Sequence, residues 1–550
     1  VFGIARRLAP VALFALFTAV MTWPQVIRLA TQATDHQDVY FNMWRFGWTA
    51  HAIATAPSKV LDGNIFYPER RALTFSDAMP VESALAAPLL WARTPPVLVH
   101  NLMLLAAFVF SGSGMFVLAR RLTGSAAAGV TAGIVFAFAP YRFDHYMHME
   151  LQWTVWMPWA FWALHRLLET GRLRDGALMG TFVALQFMSS IYYGTYLATL
   201  LGLVALLLLL TVRKPQLKSR VIAVAIAGVT AFGLSAPYAL QYAITKKKLG
   251  GRPSEQVLMF SAKPTSYTVA SETNLLYSDR ENPRSRPERR LFTGILPMLL
   301  AVAGLLLRPP RDEAIAYLLA LAVAFEMSLG FYGYSYPLLY HHLPVFDGLR
   351  APARLGIFVV FFLAALAAYG HAAIEQSVRA ERQETLLSRI RTSVLATAIC
   401  GWLMLEYWVA PLPLVRFPNA APPVYAWLAQ QPRGVVAELP VASPHALPGD
   451  DPRYSYLSTF HWMPMMNGYS GYYPPSYIDS VHRLQRFPDE LATRALQRAG
   501  VRYVIVHTDS YAFIKQGPLL DALARNHAYV QLGVFPDGVG MAVVYRLRDS

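Results

Sequence analysis

Charge is scarce in this chain. Only 15% of its 550 residues are Asp, Glu, Lys or Arg, against 55% hydrophobic residues, and the mean hydropathy is +0.34. A soluble domain carries nearer a quarter charged residues, so this composition excludes an ordinary water-soluble protein and places the chain in a membrane. Cysteine is almost missing. The lone Cys400 forms no intramolecular disulfide and says nothing about redox compartment. Several motifs are absent too: there is no G-x-x-x-x-G-K-[ST], no G-x-S-x-G and no H-E-x-x-H. Their absence argues against an ATP-driven pump and the common hydrolase and zinc-protease plans. Acidic residues are few, leaving a net charge of +15, but the arginines stand in short clusters between apolar runs. No contiguous basic face suits a nucleic acid, so nucleic acid is not expected as a partner.

A crossing needs about 20 apolar residues. Runs of that kind lie near 8–30, 97–119, 124–140, 149–168, 175–190, 192–212, 220–243, 291–307, 313–331, 353–374 and 392–411. The expected fold is therefore a polytopic α-helical membrane protein with about eleven transmembrane helices. Arg6 and Arg7 precede an apolar run too long for a signal-peptide core, and no clear small-x-small cleavage site follows, so the run reads as a retained span. Putting the N-terminus in the cytoplasm makes every inner loop basic: Arg120 and Arg121; Arg166, Arg172 and Arg174; Arg213, Lys214, Lys218 and Arg220; Arg308 and Arg311; Arg379, Arg382, Arg389 and Arg391. This is the distribution that the positive-inside rule describes. The long connections, 31–96, 244–290 and 331–352, then face outward, and an odd number of crossings leaves the tail outside as well. Past Pro411 and Pro413 the pattern changes to strands near 434–440, 501–506, 529–534 and 541–545, with helices between them. We expect a membrane domain over 1–411, with a first outer loop at 31–96, and an extracytoplasmic α/β domain over 412–550.

Three clusters carry candidate chemistry. Asp35 and Asp38 directly follow the first span. A carboxylate at a bilayer surface can deprotonate an acceptor hydroxyl or hold a divalent cation (Mg, Mn or Zn), although a helix-capping aspartate is the commoner use of such a residue. The turn Tyr141–Glu150 crowds Arg142, Asp144, His145, His148 and Glu150 at a depth where ionisable groups are costly unless they face water or one another. His145 and His148 are placed to join Asp38 around a metal, or to form part of an interfacial histidine belt. Arg350 and Arg354 stand on the outer side, where positive charge is disfavoured, at the start of a helix. They suit a lipid phosphate, with pairing to Asp347 or snorkelling as the alternatives. In the tail, Asn467-Gly-Tyr-Ser-Gly-Tyr-Tyr473 reads as an aromatic, glycine-rich loop that covers a membrane site or packs on its own domain.

Four segments together resemble the bacterial integral membrane glycosyltransferases of the GT-C superfamily: Asp38-Val-Tyr-Phe-Asn-Met-Trp-Arg45, Gly63-Asn-Ile-Phe-Tyr-Pro68, Phe136-Ala-Phe-Ala-Pro-Tyr-Arg142 and Leu349-Arg-Ala-Pro-Ala-Arg354. The type is that of the protein O-mannosyltransferases and aminoarabinose transferases. The resemblance implies an inner-membrane enzyme using a polyprenyl-phosphate or pyrophosphate sugar and a glycan, lipid or protein acceptor, with the first-loop acid, here Asp38, in catalysis. Members of that type often show adjacent acids. Here the partner acid is Asp35, three residues away, and Asp144 or Glu150 is the other candidate for that role. The rival readings are a transporter or flippase of lipid-linked saccharide and a noncatalytic scaffold with a glycan-binding tail.

Overall fold

The computed structural model describes residues 2–278, 286–307, 311–380 and 386–548; Arg284, Arg308 and Arg382 lie outside them. Each of the eleven apolar runs carries a helix. Five described helical segments are long and apolar enough to cross a membrane: Pro96–Thr123, Ala126–Asp144, Ile191–Leu209, Lys214–Leu249 and Pro352–Arg379. Shorter helices occupy the other runs, among them Trp156–Thr170, Leu173–Ser189, Ile295–Leu306 and Asp312–Ser328. The helix beginning at Lys214 runs on through Lys246, Lys247 and Lys248, which had been expected in a loop.

The backbone falls into two compact units. The first comprises Val1–Arg28, Leu102–Leu240 and Gly250–Pro413. At its centre lies the helix Gly356–Ala380, whose first half, Gly356–Ala368, is apolar all round, and every residue from Ala351 to Ala368 is buried. Helices Ile295–Leu306, Asp312–Ser328 and Ala126–Phe138 surround it. Glycines set the closest crossing. A Cβ added to Gly370 would stand 1.7 Å from the Leu300 carbonyl oxygen, and one on Gly304 would meet the Gly370 nitrogen at 2.7 Å. Without a hydrophobic drive between helices in lipid, such small-residue contacts supply the packing. Glu406 caps Ile295–Leu306, accepting a hydrogen bond from the Ile295 amide at 2.6 Å.

The second unit comprises Leu29–Asn101, Gln241–Leu249 and Leu414–Ser550. The first loop, expected with the membrane region, thus packs with the tail. Two short strands begin the join: β1 (Gln32–Thr34) pairs antiparallel with β2 (Leu414–Arg416). The main sheet takes β3 (Val435–Leu439), β4 (Val501–His507), β5 (Tyr529–Asp537) and β6 (Gly540–Leu547) in the order β3-β4-β6-β5. Its β3–β4 pair is parallel and the other two are antiparallel. Beyond β3 the ladder continues irregularly. Val436 pairs with the stretch around Met465, donating to Pro464 O at 2.9 Å and accepting from the Met466 amide at 2.8 Å. That stretch in turn holds the first loop: Tyr67 donates to Met465 O at 2.8 Å and Phe66 to Asn467 O at 3.0 Å. Helix Gln37–Thr55 packs on Pro80–Trp91 and on Asp451–Leu457.

Candidate functional sites

Asp38 occupies the first turn of helix Gln37–Thr55, where the unpaired amides favour a negative charge. The cap is His36 rather than either aspartate: its Nδ1 accepts from the Asp38 amide at 3.1 Å. The same nitrogen stands 3.4 Å from Asp38 Oδ2, but a nitrogen that accepts a proton from the backbone has none to give to the carboxylate. Asp38 Oδ1 receives the Tyr469 hydroxyl at 2.8 Å. The Asp38 side chain is 14% exposed, whereas Asp35 lies outside the helix and is exposed.

The rest of the motif builds the floor under Asp38. Phe41 stacks on Trp44 at 5.4 Å, and the Arg45 guanidinium lies 4.5 Å from the Phe41 ring centre. Arg45 donates to Asp77 O at 2.5 Å. Trp44 Nε1 donates to Asn64 Oδ1 at 2.9 Å, and Asn64 Nδ2 reaches Ser458 Oγ and Met463 O, both at 3.0 Å. The two first-loop motifs and the tail are thus one hydrogen-bonded core. Burial, then the charges of Asp451 and Asp38, pushes the Tyr473 phenol above its ordinary range.

In the first unit the expected polar turn is two short helices, Pro140–Asp144 and Met149–Gln152. Arg142 points inward and fastens them together. It donates to Gln152 Oε1 at 3.1 Å and to Gln152 O at 2.7 Å, and lies 4.4 Å from the centre of the Phe108 ring. Gln152 returns hydrogen bonds to Arg142 O and His145 O. Asp144 pairs with Arg290 at 3.2 Å, and Arg290 also binds Glu272. The Arg290–Asp144 pairing joins residues 146 positions apart. His145 Nδ1 and His148 Nδ1 are 3.3 Å apart, within the distance of a shared proton. Burial, then His148 and the cations Arg354 and Arg290, pushes the His145 pKa below the usual histidine range. Glu150 is buried, and its charge acts on Arg354.

Arg354 is 5% exposed. Its guanidinium lies 4.6 Å from the Tyr192 ring centre, and its Nε has no hydrogen-bond partner among the described residues. The Tyr192 hydroxyl also accepts the Arg350 amide at 2.9 Å, while the Arg350 guanidinium stands over Phe260. The first unit therefore gathers Asp144, His145, Glu150, Arg290 and Arg354 into one electrostatic neighbourhood. Among the described residues no group of three or more His, Cys, Asp or Glu is arranged to hold a metal ion, so no chemical step is assigned to one here.

A bundle of apolar helices joined to an α/β unit built on its first loop and tail defines a multi-pass membrane protein. Solved structures share this plan. The arabinofuranosyltransferase AftD from Mycobacteria matches 99% of this chain with a TM-score of 0.62 at 15% identity, and this chain spans 40% of its length. The oligosaccharyltransferase of Archaeoglobus fulgidus, in its apo form, matches 92% of this chain and 70% of its own, with a TM-score of 0.50 at 12% identity. Both are GT-C glycosyltransferases, and at these identities the likeness is one of fold. No family model matches the sequence, and no curated protein does either.

Proposed function

We propose that this chain is a membrane glycosyltransferase that moves a sugar from a polyprenyl-phosphate or pyrophosphate donor to a glycan, lipid or protein acceptor on the extracytoplasmic side. The observation that carries the reading is Asp38: a carboxylate held at a helix N-terminus in a fold shared with AftD over 99% of the chain. Asp38 accepts the acceptor's hydroxyl proton as the acceptor oxygen bonds to the anomeric carbon. The bond from that carbon to the phosphate oxygen breaks, and the electron pair leaves on the lipid phosphate. Arg354, with Arg350 near it in sequence, is assigned to the phosphate, since the guanidinium fork suits an oxyanion. The basic inner loops support placing the tail and first loop outside. In the wider cluster, Arg142 is assigned to holding the turn and Asp144 to orienting Arg290. Asp35, exposed and outside the helix, is the weaker second acid beside Asp144 and Glu150.

The test is release of the lipid phosphate from a panel of polyprenyl-phosphate sugars by the purified chain in nanodiscs. Asp38→Ala is expected to abolish release while leaving the protein folded and membrane-inserted. Retained release in that variant would reject the assignment.

A further inference from the structure

Asp38 is touched by a side chain from the far end of the sequence. Tyr469 stands 431 positions away and donates its hydroxyl to Asp38 Oδ1 at 2.8 Å. Two sets of contacts make that meeting specific. The Tyr469 ring meets Phe41 edge-on at 5.1 Å and 77°, and Phe41 lies three residues beyond Asp38, on the same helix face. The ring is thus seated on the helix whose acid it binds.

The loop that carries Tyr469 is anchored at its start. Asn467 is fully buried. Its Oδ1 accepts the Glu438 amide at 2.7 Å, and its Nδ2 donates to Glu438 O at 3.0 Å and Asp451 Oδ1 at 2.9 Å. Its own carbonyl accepts the Phe66 amide. Next comes Gly468, where a Cβ would press to 2.8 Å on the Phe66 ring. The absent side chain lets the backbone cross Phe66 and deliver Tyr469 one residue later. A loop resting only on its own domain would need none of these first-loop contacts.

We propose that Tyr469 is a positioning residue for Asp38, carried to it by the anchored loop Asn467–Tyr473, so that the tail completes the acidic centre of the first loop. The inference rests on the glycosyltransferase reading for its catalytic consequence, but not for its geometry. A neutral phenol donating to a carboxylate favours the charged form and fixes the plane of the carboxyl group. Asp38 is thereby kept anionic, as a proton acceptor must be, with Oδ1 held toward the tail.

Two measurements on the full chain separate the outcomes. The first needs no substrate: carbodiimide coupling of an amine to Asp38, followed by mass spectrometry across pH, reports the carboxyl's titration in wild type and in Tyr469→Phe. The substitution keeps the ring on Phe41 and removes only the hydroxyl. The expected result is a titration midpoint raised by about one unit in the variant, with Thr493→Val, a hydroxyl deletion elsewhere in the same unit, unchanged. Coincident wild-type and Tyr469→Phe curves overturn the proposal. The second is polyprenyl-phosphate release. Tyr469→Phe is expected to lower kcat about tenfold at unchanged KM and to move the acidic limb of the pH profile upward. An unchanged kcat and profile overturn the positioning role. If wild type releases no lipid phosphate while the labelling shift is present, the glycosyltransferase reading fails and the contact between Tyr469 and Asp38 stands; if Asp38→Asn releases it as wild type does, the catalytic role of Asp38 fails and the contact again stands.

Discussion

The buried charges behind the loop anchor allow a prediction with a magnitude. His507 ends β4 with 2% of its surface exposed. Its Nε2 meets Glu438 Oε2 at 2.5 Å and its Nδ1 meets Asp537 Oδ2 at 2.6 Å, while Tyr454 stacks on the ring at 4.9 Å. Burial by itself lowers the imidazole pKa, but hydrogen bonds and charge from Asp537 and Glu438 outweigh it and raise the value to about 9. The raised value has a definite sign. Relative to an unfolded histidine near 6.5, the folded state binds the proton more tightly, so the contribution is complete below about pH 6.5. It declines above that and is gone once pH passes about 9. Its size is about 3 kcal/mol. Replacing His507 with Ala leaves Glu438 buried without its cation and Asp537 with only Arg453, at 3.4 Å, among the described residues, a change that costs about 3–5 kcal/mol. Pulse proteolysis of the full chain in urea, followed through a C-terminal tag at pH 6, 7.5 and 9.5, reads the stability of this unit. Wild type is expected to lose about 3 kcal/mol from the lowest to the highest pH. His507→Ala is expected to be less stable at pH 6 and to lack that slope. Parallel curves for the two proteins would refute a charged His507 in the folded state.

Other predictions address the helical unit and the phosphate assignment. Gly370→Ala places a methyl group 1.7 Å from the Leu300 carbonyl oxygen, forcing two helices apart. A loss of about 1–3 kcal/mol is expected, seen as a lower thermal midpoint in detergent, and an unchanged midpoint would mean the helices do not cross there. Arg354→Gln is expected to raise KM for a polyprenyl-phosphate sugar about 10- to 100-fold with a smaller effect on kcat, as loss of a charge-assisted phosphate contact requires. An unchanged KM would remove Arg354 from the donor site. Glu406→Gln weakens the cap on Ile295–Leu306 by about 1 kcal/mol, measurable as faster amide exchange at Ile295 and Leu296.

Much of the architecture was legible from periodicity. Runs such as 97–119 and 353–374 read as helices because a segment in lipid must satisfy its own backbone. The four strands of the main sheet were found from their β-branched character and flanking turns, while the short β2 was not. Helices Asp451–Leu457 and Pro475–Leu484 were missed: the first is short and the second begins at a proline pair that reads as loop. The turn 141–150 was recognised as a concentration of ionisable residues, but the residues looked alike on paper. Packing separated Arg142, whose guanidinium binds Gln152 and lies over Phe108, from Arg354, which lies over Tyr192.

The sequence by itself determined the membrane-spanning character and the helical segments, since each is written in a local run of residues. The tertiary structure alone decided that the first loop and the tail form one unit, that Arg290 answers Asp144 and that Tyr469 answers Asp38. Those pairings depend on backbone hydrogen bonds and side-chain contacts between segments 146 to 431 residues apart, and contact at such separation leaves no periodicity in a single chain from which it can be read.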